Sequence, residues 1–145
     1  MLVTIYTDAS FKDGNAGGGA YIRSDAGLTK WGQSFKADNP QEAEAYCMLA
    51  AVQFAHRNIP RIKTILIVSD SKHCVEYLWP FKHTKLKHQP TKTHLETLIA
   101  YAKKNKFNLR TRWIKGHQKT KTTQVWVNNH VDKIAKEHNE ATINK

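Results

Sequence analysis

The sequence is poor in cysteine, and Cys47 and Cys74 are its only two. Two isolated cysteines cannot build a disulfide framework or a thiolate metal site, so we predict reduced thiols in a cytosolic chain. The sequence also has no apolar run of membrane-spanning length, and Met1 leads directly into a short apolar segment rather than a signal peptide. These absences predict a soluble cytoplasmic protein that does not engage a membrane.

The glycine motifs of nucleotide-binding loops are absent as well. Gly14 and the run Gly17 to Gly19 are not followed by GK[ST] and do not form GxGxxG ahead of a helix. A nucleotide cofactor is therefore disfavoured. We predict instead that these glycines mark a tight turn and permit close approach of the backbone.

Acidic residues are scarce relative to basic ones. The chain has 12 Asp and Glu against 23 Lys and Arg, which gives a formal net charge of +11. A polyanion is the expected partner of such a surface, and nucleic acid is the leading candidate. Solubility or an acidic protein partner is the alternative explanation. The length of 145 residues fits one domain with a single core.

The hydrophobic periodicity predicts an α/β domain. The predicted order begins with a strand, a hairpin of two strands and a capped helix. A second buried strand, two helices, a fifth strand and a last helix follow. The predicted strands are Leu2 to Ser10, Gly18 to Arg23, Leu28 to Phe35, Ile62 to Val68 and Phe107 to Ile114. The predicted helices are Gln41 to His56, Lys72 to Leu78, His94 to Lys106 and Asn128 to Asn139.

Two of the buried strands end in an aspartate. Asp8 follows LVTIYT and Asp70 follows TILIVS. A helix between the two strands suggests a parallel pair with a crossover, so both carboxylates are expected at the same edge of the sheet. Ligand crevices of α/β sheets lie at that edge. For Asp70, the alternative is a role as the N-cap of the following short helix.

Two further acids lie on predicted helices. Glu44 is surrounded by small and apolar residues, which places it near the buried side of its helix. Its neighbour Glu42 is explained by the helix dipole, which favours acids in the first turn. Asp132 lies beside the apolar stripe of the last helix, although an acid near a helix start is the simpler explanation.

The segment from Trp79 to Thr93 is strongly basic and resembles a loop in composition. Its lysines are interspersed with aromatic and histidine side chains, a mixture that suits phosphates and bases, and a solvated connection is the alternative. The residues concerned are Trp79, Phe81, Lys82, His83, Lys85, Lys87, His88 and Lys92. A loop histidine, His117, follows the last predicted strand in the sequence KGH, and its side chain titrates near neutral pH.

Five short motifs, TDAS, AEA, SDS, KGH and NNHVDKIAK, resemble the type 1 ribonuclease H family in order and approximate spacing. The resemblance spans nearly the whole chain. It implies a ribonuclease H-like α/β fold in which a five-stranded mixed sheet is flanked by helices. It also implies a single ribonuclease H domain over residues 1–145, with a shortened basic segment at 79–93.

The resemblance further implies an endonuclease that hydrolyses the RNA strand of RNA/DNA hybrids and leaves 5′-phosphate and 3′-hydroxyl ends. The family binds two divalent metals through four acids, so the expected cofactor is Mg²⁺, with Mn²⁺ as a substitute. The matching ligands are Asp8, Glu44, Asp70 and Asp132, and His117 matches a histidine that assists proton transfer or departure of the product phosphate. The residues expected to contact the hybrid are Asn15, Gln41, Trp79, Lys82, Lys85 and Lys87.

The chemistry of phosphodiester hydrolysis explains why acids would gather. Two Mg²⁺ ions about 3.5–4 Å apart can activate water and stabilise the departing alkoxide, and Mg²⁺ prefers carboxylate oxygens. Three alternatives stay open: a metal-free nucleic-acid-binding module, a recombinase, transposase or resolvase of related fold, and a domain excised from a retroelement polyprotein. No obligate protein partner is evident from the sequence.

Overall fold

The computed structural model describes residues 1–78 and 86–115. The predicted helix from Asn128 to Asn139 lies outside these residues. In chain order the described strands are β1 (Leu2–Lys12), β2 (Asn15–Ser24), β3 (Gly27–Lys36), β4 (Thr64–Ser69) and β5 (Asn108–Trp113). The described helices are α1 (Pro40–Asn58), α2 (Lys72–Leu78) and α3 (Gln89–Lys104).

The strands form one mixed sheet of five in the order β3-β2-β1-β4-β5. β1, β2 and β3 pair antiparallel, whereas β4 pairs parallel to both β1 and β5. The predicted five-stranded mixed sheet is therefore confirmed. The last β1–β4 pair is Tyr6 with Val68, so extending this register by two residues sets Asp8 level with Asp70.

The main core lies between one face of the sheet and helices α1 and α3. Alternation along β1 and β4 directs their branched side chains to this face, while the helices contribute an apolar stripe. Fully buried members of this core are Val3, Ile5, Ile65, Ile67, Met48, Val52, Leu95 and Leu98. This packing fixes α1 against β1, which positions the side chains of its first turns near the end of that strand.

The start of α1 is secured by a side-chain cap. Asn39 is the N-cap, and its side chain accepts from the Glu42 N–H at 2.8 Å. In return, Glu42 Oε1 accepts from the Asp38 N–H at 2.7 Å. Together with Pro40 in the first turn, this reciprocal arrangement satisfies backbone donors that the helix leaves unpaired.

The predicted turn is confirmed at Gly14 and wrong at Gly17, since Gly17 to Gly19 lie inside β2 and pair with both neighbouring strands. Gly18 and Gly19 agree with the strand predicted from Gly18 to Arg23. The turn lies earlier, at Asp13 and Gly14, which have φ of 51° and 81°. The expected close approach is confirmed at Gly18, where a Cβ would lie 3.0 Å from Cys47 Sγ and 3.1 Å from Phe35 Cε1. Gly18 therefore serves packing rather than turning.

The predicted start of α3 is also wrong, since the helix begins at Gln89 rather than His94. His88 is its N-cap, with a side chain that accepts from the Thr91 N–H, and Pro90 occupies the first turn. Residues 89–93 of the expected basic loop are thus helical, because a histidine cap and a favourable proline outweigh the loop-like composition.

Among the described residues, no helix is long and apolar enough to cross a membrane.

Candidate metal centre

Asp8 lies inside β1, two residues beyond the last pair of β1 with β4, and is only 3% exposed. Its Oδ1 accepts from the Ala9 N–H at 2.9 Å, and the same N–H donates to Glu44 Oε1 at 3.2 Å. One backbone donor therefore holds carboxylates from two elements. Two carboxylates this close repel each other, which favours a cation beside them.

Cys47, one helical turn beyond Glu44, packs beneath this pair. Its thiol is fully buried and donates to the Asp8 carbonyl at 3.3 Å. Burial raises the pKa of the Cys47 thiol well above its usual value, and the charges of Glu44 and Asp8 raise it further. The sulfur is therefore a neutral hydrogen-bond donor to the β1 backbone rather than a thiolate ligand.

Asp70 occupies the bend between β4 and α2 and is half-buried. It precedes the first residue of α2 by two positions, so it is not the N-cap that the alternative interpretation required. The bend is held by the Ser71 N–H, which donates to Ser69 Oγ at 3.1 Å. This placement leaves the Asp70 residue just past the carboxyl end of β4, level with Asp8 in β1.

The structure brings Asp8, Glu44 and Asp70 together. One carboxylate oxygen from each residue lies within 4.8 Å of the others, and the three come from a strand, a helix and a bend. The donors are all hard oxygens and the centre is only partly exposed, which fits Mg²⁺ or Mn²⁺ and suits neither thiolate- nor imidazole-bound metals. Asp132 and His117 lie outside the described residues.

A second group of ligand-type side chains lies between the starts of α1 and α3. Ligand atoms of Asp38, Glu42 and His88 also fall within 4.8 Å of one another. Here the contacts have a structural explanation: His88 Nε2 lies 3.1 Å from Asp38 Oδ2, and His94 Nε2 lies 3.0 Å from Glu42 Oε2. Sequence reasoning assigned Glu42 only a dipole role and missed these contacts, which join α3 to the start of α1.

Three of the residues expected to contact the hybrid are described. Asn15 lies at the start of β2, where its side chain accepts a hydrogen bond from Lys36 Nζ and donates one to the Asp13 carbonyl. Gln41 is half-buried in the first turn of α1, three residues before Glu44. Lys87 is exposed just before α3. Trp79, Lys82 and Lys85 lie outside the described residues.

Comparison with known proteins agrees with this geometry. The family model for RNase H matches residues 2–140. A search of curated proteins found no match. The fold is similar to that of the N-terminal RNase H domain of Rv2228c from Mycobacterium tuberculosis, with a TM-score of 0.78 at 19% identity, over 99% of this chain and 96% of that one.

Two further solved structures have the same fold. RNase H1 from the halophilic archaeon Halobacterium salinarum gives a TM-score of 0.73 at 15% identity, over 97% of this chain and 99% of that one. LC11-RNase H1, solved in complex with an RNA/DNA hybrid, gives 0.74 at 16% identity over the same shares. These three likenesses extend over almost the entire length of this chain and of the three solved chains.

Proposed function

This chain belongs to the RNase H family, and we propose that it is an endonuclease that hydrolyses the RNA strand of RNA/DNA hybrids. The observation that carries the proposal is the convergence of Asp8, Glu44 and Asp70 from three separate elements. The formal charge of +11 and a related fold solved with an RNA/DNA hybrid support a nucleic-acid substrate.

The acids are proposed to bind two divalent ions, Mg²⁺ or Mn²⁺, with Asp132 as the fourth ligand. When bound, the ions would supply an activated water and stabilise the departing 3′ oxygen, which leaves 5′-phosphate and 3′-hydroxyl ends. Asp8 would be shared between the two ions, Glu44 and Asp70 would complete the site of one ion and orient the nucleophilic water, and Asp132 would hold the other ion. The shared Ala9 N–H keeps Asp8 and Glu44 at a fixed separation.

His117 is proposed to assist proton transfer or the departure of the product phosphate. An imidazole suits this role because it gains and loses a proton near neutral pH. It directly follows Gly116 in KGH, after the end of β5. Its contribution would show as a loss of turnover with little change in hybrid binding when it is replaced by alanine.

Recognition of the hybrid is proposed to use 2′-hydroxyl contacts across the minor groove, because these hydroxyls distinguish RNA from DNA. Asn15 and Gln41 carry side-chain amides that can donate to and accept from such groups. Trp79, Lys82, Lys85 and Lys87 would meet the DNA strand through stacking and phosphate contacts. We further propose that the enzyme consists of a single domain, acts in the cytoplasm and needs no obligate protein partner.

The test is a cleavage assay with three labelled duplexes: RNA/DNA hybrid, double-stranded RNA and double-stranded DNA. Each is incubated with Mg²⁺, with Mn²⁺ and with chelator. We expect only the RNA strand of the hybrid to be cut, only with metal, and the product to carry a 5′-phosphate. Cutting of duplex DNA would favour the recombinase class, and binding of the hybrid without cutting would favour a binding module.

Asp70→Asn is the matched variant for this assay, because it keeps the size of the side chain and removes its charge. Hybrid binding should be largely retained while cleavage is abolished. Turnover at the wild-type level in this variant would remove Asp70 from the catalytic centre.

A further inference from the structure

The end of β5 lies directly beside the bend that carries Asp70. In the parallel β4–β5 pair, Trp113 is in register with Ser69, the residue before Asp70. The ladder continues one step further, because the Ile114 N–H donates to the Ser69 carbonyl at 3.0 Å. The last backbone contact that anchors β4 therefore lies one residue before Asp70.

The Trp113 indole extends this anchoring to Asp70 itself. Its Nε1–H donates to the Asp70 main-chain carbonyl at 3.1 Å, a contact between residues 43 apart in the chain. An indole has one donor and no acceptor, so it can make this bond in only one orientation. With the Ser71 N–H bonded to Ser69 Oγ on the other side, the Asp70 peptide is restrained on both sides.

The indole is itself held in place although it is 43% exposed. Lys72 Nζ lies 5.5 Å from the centre of the Trp113 ring, a cation–π distance. Packing alone gives little reason to place so large a ring at the rim of the sheet. The hydrogen bond to the Asp70 backbone gives a reason for this position, because tryptophan combines a broad apolar ring system with one directed N–H.

We propose that Trp113 is a positioning residue that sets the orientation of Asp70 toward the divalent metal. This inference depends on the proposed function, since it treats Asp70 as a metal ligand. Groups that orient ligands from outside the coordination sphere change metal affinity or activity by about 10–100-fold when they are lost. Trp113 bonds the main chain of Asp70 and not its carboxylate, so we expect its removal to act through the metal and not through hybrid binding.

The experiment compares wild type, Trp113→Phe and Leu28→Ala. Phenylalanine keeps an aromatic ring and removes the N–H, while Leu28 is an exposed apolar residue on β3, at the other edge of the sheet. Mn²⁺ binding is measured on the nucleic-acid-free protein by electron paramagnetic resonance, and kcat and KM for hybrid are measured across a range of Mn²⁺ concentrations. Thermal melting confirms folding, and Trp113→Leu, which also lacks a side-chain donor, replaces the phenylalanine variant if that one does not fold.

We expect Trp113→Phe to weaken Mn²⁺ binding by about 10-fold and to lower kcat at limiting metal, with KM unchanged. Saturating Mn²⁺ should restore most of kcat, and Leu28→Ala should match wild type in all three readouts. Mn²⁺ affinity and kcat equal to wild type in Trp113→Phe would overturn the positioning role while the proposed function stands. A wild-type protein that neither binds Mn²⁺ nor cuts hybrid would overturn both.

Discussion

The Ala9 N–H donates to Glu44 Oε1 at 3.2 Å, a hydrogen bond that joins β1 to the first turns of α1. Glu42, two residues earlier on the same helix, faces Asp38 and His94 instead. Glu44 and Glu42, two acids of one helix, therefore have separate roles. One belongs to the carboxylate centre, and the other secures the helix start and its contact with α3.

This division predicts opposite outcomes for two matched variants. Glu44→Gln can still accept from the Ala9 N–H but loses its charge, so cleavage of hybrid should fall by about 100-fold or more while stability is unchanged or raised. Glu42→Gln should lower the free energy of unfolding by about 1–2 kcal/mol and leave kcat within about twofold of wild type. Urea unfolding and cleavage assays on both variants provide the measurement. A stability loss confined to Glu44→Gln would reverse the assignment.

Gly18 gives a prediction about packing beneath the centre. A Cβ at this position would lie 3.0 Å from Cys47 Sγ, and Cys47 is held by the Asp8 carbonyl and cannot withdraw freely. Gly18→Ala should therefore destabilise the protein by about 1–3 kcal/mol.

Combining Gly18→Ala with Cys47→Ala should recover part of that loss, because the smaller side chain makes room for the added methyl group. A double-mutant cycle in urea measures the coupling. Strict additivity of the two substitutions would show that the contact between residues 18 and 47 does not limit the fit.

The two thiols predict a dependence on alkaline pH. Burial raises the pKa of Cys74 from 9.0 to about 12, and burial also raises the pKa of Cys47. The folded protein keeps the Cys74 thiol protonated to a higher pH than the unfolded chain does. The free energy of unfolding is therefore undiminished below about pH 9 and falls as pH rises from about 9 toward 12. Cys74→Ala should therefore show a shallower loss of stability over that range than wild type.

Alkylation gives an independent check of the same thiols. At pH 8 iodoacetamide should modify neither cysteine in the folded protein and both in urea, because the thiolate is the reactive species. Rapid labelling of the folded chain would contradict the burial of these groups.

Sequence reasoning identified Asp8, Glu44 and Asp70 because their signals are local. A buried strand that ends in an acid, and an acid set among small residues on a helix, are both visible in short windows. The parallel pairing of β1 and β4 then followed from the helix between them. The structure brings these three residues together as that reasoning expects.

What sequence reasoning missed depends on contacts between distant segments. The predicted strand begins at Gly18, yet β2 begins at Asn15, because residues 15–17 pair with the strands on both sides despite their turn-like composition. The early start of α3 depends on a histidine cap, which is not among the preferred capping residues. The bond from Trp113 to Asp70 joins two loop-proximal positions that no local periodicity connects.

The most direct test of the carboxylate centre is anomalous diffraction from a crystal soaked in Mn²⁺. We predict a Mn²⁺ peak in contact with oxygens of Asp8, Glu44 and Asp70, lost in Asp70→Asn. A peak that appears only at the Asp38, Glu42 and His88 group, or no peak at all near Asp8, would contradict the account.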